Sequence, residues 1–214
     1  MLTPEQIEQN KIEFLKLIAE INIEGADTQG LVEFLDSGDF FTAPASTMYH
    51  CNYKGGLCEH SLHVYKSMLN LYDMYQDYMP AIDKNSLLIV GLLHDISKTN
   101  FYEMYVANKK MYSETGTKHD NMGKFDWFAE EAYKVKDVHD RFVAGTHEQT
   151  SMFIINRYIP LSLEENLAIM FHQAVPSDGQ PIRDMSAMLN QYPLITLVQL
   201  ADYASTFILE RING

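Results

Sequence analysis

Residues 87–98, Leu-Leu-Ile-Val-Gly-Leu-Leu-His-Asp-Ile-Ser-Lys, constrain what this chain can fold into. An uncharged apolar run leads straight into His94 and Asp95. Its length, with the turn that follows, favours a buried helix over a strand. A buried helix ending in an imidazole and a carboxylate needs a partner for them, because an unpaired carboxylate in an apolar interior costs several kcal/mol. A divalent cation is the simplest such partner. On a regular helix His94 and Asp95 point about 100° apart, so they can grip one ion or let the carboxylate lean toward a second. Lys98 lies four residues after His94, on the same face, and reaches the same pocket.

The bulk sequence narrows the setting. At 214 residues and 46% hydrophobic content, the chain suits one globular domain that buries about 70% of its unfolded surface. No apolar run approaches the ~20 residues of a membrane span, and the Glu-bearing first twenty residues lack a signal-peptide pattern. Two cysteines argue against a disulfide framework and for a reducing cytoplasm. Cys51 and Cys58, with His50 and His60 nearby, could be drawn as a zinc site, but they have no usual structural-zinc spacing and are expected to be small buried thiols. A net charge of −13 disfavours extended binding to nucleic acid, which needs a positive face. A local basic pocket for a small anion stays open.

Local signals give a mainly α-helical chain. Thr3 and Pro4 open a first helix, with Gly25 expected to close it, and a short second helix covers 31–35. Two glycines, Gly55 and Gly56, feed a helix carrying His60 and His63. Asn85 or Ser86 is expected to cap the 87–93 helix. Residues 101–106 and 110–115 bracket Ala107-Asn108-Lys109 and predict a small β-hairpin. Residues 115–124 form a polar loop, mobile and suited to a lid, and the segment around Trp127 and Tyr133 is left unassigned. His147 opens another helix, with Phe153, Ile154, Ile155 and Tyr158 facing in. Ser162 and Glu165 form a capping box for a helix that ends at His172. A Gly/Pro loop follows at 176–181. Pro193 starts the last helix, with Leu194, Leu197, Val198, Ala201, Ala204, Phe207 and Ile208 on its apolar side and Asp202 among them. A lone acid in such a setting is unusual unless paired.

The motif His94-Asp95-Ile-Ser-Lys98 resembles the signature of the HD-domain superfamily of metal-dependent phosphohydrolases, with Ser97 where the family usually has Gly. Gly55-Gly56-Leu57-x-Glu59-His60 resembles the segment bearing the first metal-binding His in HD proteins, notably bacterial exoribonucleases. Spacing alone cannot choose between His60 and His63; the resemblance chooses His60. The ordered series His60, His94-Asp95, His147, His172 and Asp202 resembles the H…HD…H…H…D pattern of HD proteins that hold two metals. It implies an HD-domain helical bundle over 43–214 with a β-hairpin insertion, preceded by a helical prelude at 1–42 that packs on the core. It also implies a first metal on His60, His94, Asp95 and Asp202. A second would sit on His147 and His172, with Asp95 bridging.

The donors suit Mn, Fe, Co, Ni or Zn, and Mg is kept with them; one or two divalent ions are expected. Two cations acidify water and neutralise phosphoryl oxygens, so the reaction expected is hydrolysis of a phosphomonoester or phosphodiester. Asp95 and Lys98 would be its catalytic residues, and Lys98, Lys54 and Lys118 would meet the substrate. Those few basic residues suit one to three phosphates, so a small linear or cyclic nucleotide is the expected substrate. An exoribonuclease-like activity and a di-iron oxygenase are the alternatives.

Overall fold

The computed structural model describes residues 1–173 and 182–211; the loop expected at 176–181 lies outside the described residues. Thr3 and Pro4 do open the first helix, α1, Pro4–Ile18. The Thr3 hydroxyl accepts the Gln6 N–H and the Gln6 side chain accepts the Thr3 N–H, which completes the cap. The helix stops at Ile18, not at Gly25. Gly25 instead sits with a left-handed φ of 82° in the link to α2, Thr28–Ser37. Phe14 and Ile18 of α1, and Leu31 and Leu35 of α2, are fully buried in the common core.

Helices α3, Gly56–Tyr75, and α4, Lys84–Leu93, form the centre of that core. Every residue from 87 to 93 is buried, as the apolar run requires. The cap of α4 is Asp83, whose carboxylate accepts the Asn85 N–H at 2.7 Å. Gly91 lets α3 and α4 approach closely: a Cβ there would lie 2.8 Å from the Cα of Tyr65.

Beyond α4 come β1, Tyr102–Tyr112, β2, Lys118–Asp120, and β3, Gly123–Val135, in the antiparallel order β1-β3-β2. The β insertion is present, but its turn is not at 107–109. Strand β1 runs through that tripeptide, with Ala107 opposite Glu130. Its partner is the segment around Trp127 and Tyr133, and the expected loop at 115–124 carries β2. Most residues of β1 and β3 are exposed or half-exposed. A strand wet on both faces lacks the apolar alternation that marks a half-buried one.

Four more helices follow: α5, His147–Ile155, α6, Leu163–Met170, α7, Ile182–Gln191, and α8, Pro193–Ala204. The Ser162–Glu165 capping box forms as read. On α5, Ile154 and Ile155 are buried, whereas Phe153 points outward. Helix α8 packs on α3 and α6 through Leu194, Ile195, Leu197, Val198 and Ala201. The chain then opens into one π-helical turn, Ser205–Leu209. That turn shifts the helical register, so Phe207 and Ile208 leave the apolar side and are exposed. Among the described residues the molecule is thus mainly α-helical with one small sheet, and no helix is long and apolar enough to cross a membrane.

Candidate metal centre

The end of α4 sets the geometry. His94 keeps helical torsions and its N–H still bonds the Val90 carbonyl at 3.2 Å. Asp95 leaves the α-helix with φ −107° and ψ 17°, and a 3₁₀ turn, Ile96–Lys98, follows. With three residues per turn, positions 95 and 98 eclipse. The Lys98 ammonium therefore pairs with Asp95 Oδ2 at 2.7 Å, in a buried setting. The sequence placed Lys98 along the His94 face; the tighter turn brings it onto Asp95 instead. The Ser97 N–H donates to Ser151 Oγ at 3.2 Å. Ser151 lies one turn along α5 from His147, so this bond seats α5 with His147 facing Asp95.

The other members arrive from separate elements around Asp95. His60 Nε2, from α3, is 3.7 Å from Asp95 Oδ2 and 3.3 Å from Asp202 Oδ1 on α8. His94 Nε2 is 3.5 Å from Asp95 Oδ2. His172 Nε2, just past α6, and His147 Nε2, on α5, lie 3.6 Å and 3.9 Å from Asp95 Oδ1. Each deeply buried ring is held through its other nitrogen. His94 Nδ1 donates to the Gly91 carbonyl at 3.1 Å, and His172 Nδ1 to the Ile169 carbonyl at 2.7 Å. His60 Nδ1 faces the Glu210 carboxylate at 3.0 Å.

The result is a set of buried atoms with no hydrogen-bond partner: Nε2 of His60, His94, His147 and His172, and Oδ1 of Asp95. Buried polar atoms are ordinarily satisfied, so several imidazole nitrogens left without a good hydrogen bond around one carboxylate are the arrangement a metal ion would complete. Fixing Nδ1 and freeing Nε2 is how a protein presents imidazole to a metal. His60, His94 and Asp202 offer ligand atoms within 4.8 Å of one another, as do His94, Asp95 and His172. These clusters can hold a divalent cation of the borderline kind that takes nitrogen and oxygen together.

Electrostatics divide the cluster. Burial pushes the His94 imidazolium down to about 3, although Asp95 pulls the other way. Burial also lowers His147. Burial opposes the charge on His60 too, but the carboxylates of Glu210 and Asp202 outweigh it and hold that ring at about 10. His172 is raised against burial by Asp95. Burial opposes the charge on Asp95, yet Lys98 and His94 keep it well below the usual carboxylate range. Asp202 is held at about 2 against burial, chiefly by His60. At neutral pH the carboxylates are charged, and a bound cation would have to displace the protons on His60 and His172.

His60, His94, Asp95, Lys98, His147, His172 and Asp202 are therefore brought together. Lys54 is exposed on the turn before α3. Lys118 is not brought to the cluster. It sits on β2 opposite Phe125, over the Trp127 ring at 5.9 Å. That is ten pairs along β3 from the Tyr102–Val135 end nearest the 3₁₀ turn, or roughly 33 Å at strand rise.

The sequence reading missed two groups. Glu210 also takes His63 Nδ1, at 2.8 Å, and its side chain is almost wholly buried. The π-turn delivers it, through the Glu210 N–H to Ser205 carbonyl bond at 2.9 Å, and a helical period does not anticipate that turn. His50 stacks on His60 with ring centroids 4.6 Å apart and both its ring nitrogens buried without partners. It lies in an irregular stretch, where the sequence marks it only as a neighbour of Cys51 and Cys58, and it is set aside with them.

A stretch of 99 residues, 46% of this chain, is 33% identical to the dihydroneopterin 2',3'-cyclic phosphate phosphodiesterase of Methanocaldococcus jannaschii. The match spans 36% of that protein's length. No family model matches the chain, and no solved structure matches it. The chain is similar, over part of its length, to a phosphodiesterase.

Proposed function

We propose that this chain is an HD-type, metal-dependent phosphohydrolase that cleaves a small phosphodiester, a cyclic or linear nucleotide or a nucleotide-like ester. One observation carries the reading: Nε2 atoms of four histidines, none with a hydrogen-bond partner, surround the buried Asp95 carboxylate, His60 and His94 against Oδ2 and His147 and His172 against Oδ1. His60, His94, Asp95 and Asp202 would hold one ion, and His147 and His172 a second, with Asp95 shared. Bound divalent cations supply Lewis acidity toward phosphoryl oxygens and acidify nearby water.

The chain's own residues supply the rest. Lys98 orients the Asp95 carboxylate and adds a fixed positive charge for a phosphoryl oxygen. The Nδ1 contacts of His60, His94 and His172 hold their rings before any ligand arrives, which lowers the reorganisation needed during reaction. Burial of the cluster keeps bulk water from screening these charges. The partial match to an enzyme named for a cyclic phosphate diester supports a small substrate. So does the net charge of −13, which repels a polyanion over most of the surface.

The test is a cleavage panel of cyclic nucleotides, mononucleotides and short RNA with each candidate metal at physiological salt. Metal-stimulated opening of a small phosphodiester is the expected result. Efficient degradation of short RNA with nucleotides ignored would replace this reading with an exonuclease. Oxygen consumption by the iron-loaded protein without phosphoester cleavage would replace it with an oxygenase.

A further inference from the structure

His147 is the most open of the clustered histidines, with 26% of its side chain exposed against 1% or less for His60, His94 and His172. A cavity of about 240 Å³ lies on that side, lined by Ser97, Phe101, Arg141, Phe142, His147 and Thr150 among others. Besides His147 Nε2, two of its polar groups are unsatisfied. Ser97 is 4% exposed and its Oγ has no partner. Arg141 stacks its guanidinium on the Phe101 ring at 4.5 Å, yet its Nε is buried without an acceptor. Among the described residues, no carboxylate lies within ion-pairing distance of Arg141.

Arg141 is half-buried with its Nε buried and without an acceptor, and the planar N–H edge of a guanidinium matches the oxygens of a phosphoryl group. Stacking on Phe101 fixes the plane and leaves that edge free. Gly145, His147 and Thr150 also line the cavity, so it adjoins the first turn of α5, whose macrodipole favours an anion there.

We propose that this cavity seats the phosphoryl group of the substrate, with Arg141 as its principal anchor and the Ser97 hydroxyl as a second donor, against the open His147 side of the cluster. The inference rests on the phosphohydrolase reading for its substrate, but anion binding can be measured without turnover. Calorimetric titration of the purified protein with inorganic phosphate should show binding. Arg141→Ala should weaken it about tenfold to a hundredfold, the size of a lost charge-assisted contact. Arg141→Lys should fall between, and Ser97→Ala should lose less than Arg141→Ala. If Arg141→Ala fails to fold, Arg141→Lys decides alone, because it keeps the charge and loses the fork. With an active substrate in hand, Arg141→Lys should raise KM more than it lowers kcat. Phosphate affinity equal to wild type in a folded Arg141 variant, or no phosphate binding by wild type, overturns the site. Binding by the wild type that depends on Arg141, with no phosphoester cleaved, would instead keep the anion site and remove the activity.

Discussion

Glu210 takes the Nδ1 of His60 and His63 together, and of these two only His60 has Nε2 in the cluster. Its part is to fix the His60 ring and raise its basicity as a ligand. Glu210→Gln keeps the size and one acceptor but removes the charge. It should weaken metal affinity about 10- to 100-fold, read by competition with a chelator; unchanged affinity would mean the contact is incidental. His94 gives a pH signature in the metal-free protein. Burial holds it at about 3 in the fold, against ~6.5 in an unfolded chain. Between those values the unfolded state binds a proton that the folded state does not. The neutral ring's contribution is therefore full above about pH 6.5 and falls away as pH drops toward 3. His94→Gln has no such group. The melting temperature of wild type, measured relative to His94→Gln, should decline from pH 7 to pH 4. A constant difference would contradict the buried neutral imidazole.

Helix α4 sits against α3 at Gly91, three residues before His94 and with no room for a Cβ beside Tyr65. Gly91→Ala must push apart the helices that carry His94 and His60. A loss of about 1–3 kcal/mol is expected, as for other overpacked cores. For a chain this long that is a drop of a few degrees in melting temperature or more. A melting temperature at or above wild type would show that the two helices yield freely. Most helices were legible in the sequence because they carry an apolar face or local caps: Thr3, Ser162 and the 87–93 run each mark one; α7, Ile182–Gln191, was not among them. The same period could not find the β1–β3 arm, whose strands are wet on both faces. Nor could it find the π-turn after Ala204, where an extra residue turns Phe207 outward and Glu210 inward. His60, His94, Asp95, His147, His172 and Asp202 were legible as a series from a family resemblance. His50 and Arg141 lie in irregular chain, where no spacing points to the neighbours each one meets.

Across the whole molecule, the cluster draws its members from α3, the end of α4, α5, the end of α6 and α8. Elements distant in sequence thus meet at one buried carboxylate, Asp95, with orphaned nitrogens around it. A fold that buries such a set has to satisfy it, and a cation would do so while tying those elements together. The net charge of −13 adds a general attraction for cations but cannot by itself select a site. Selection has to come from Asp95 and the imidazoles around it. The decisive measurement is elemental analysis of wild type and Asp95→Ala after the same metal loading and desalting, with circular dichroism to confirm the fold. Wild type should retain one or two equivalents of a divalent transition metal per chain, and folded Asp95→Ala about a tenth of that or less. A wild type that retains no metal, or an Asp95→Ala protein that retains as much as wild type, would contradict the metal centre.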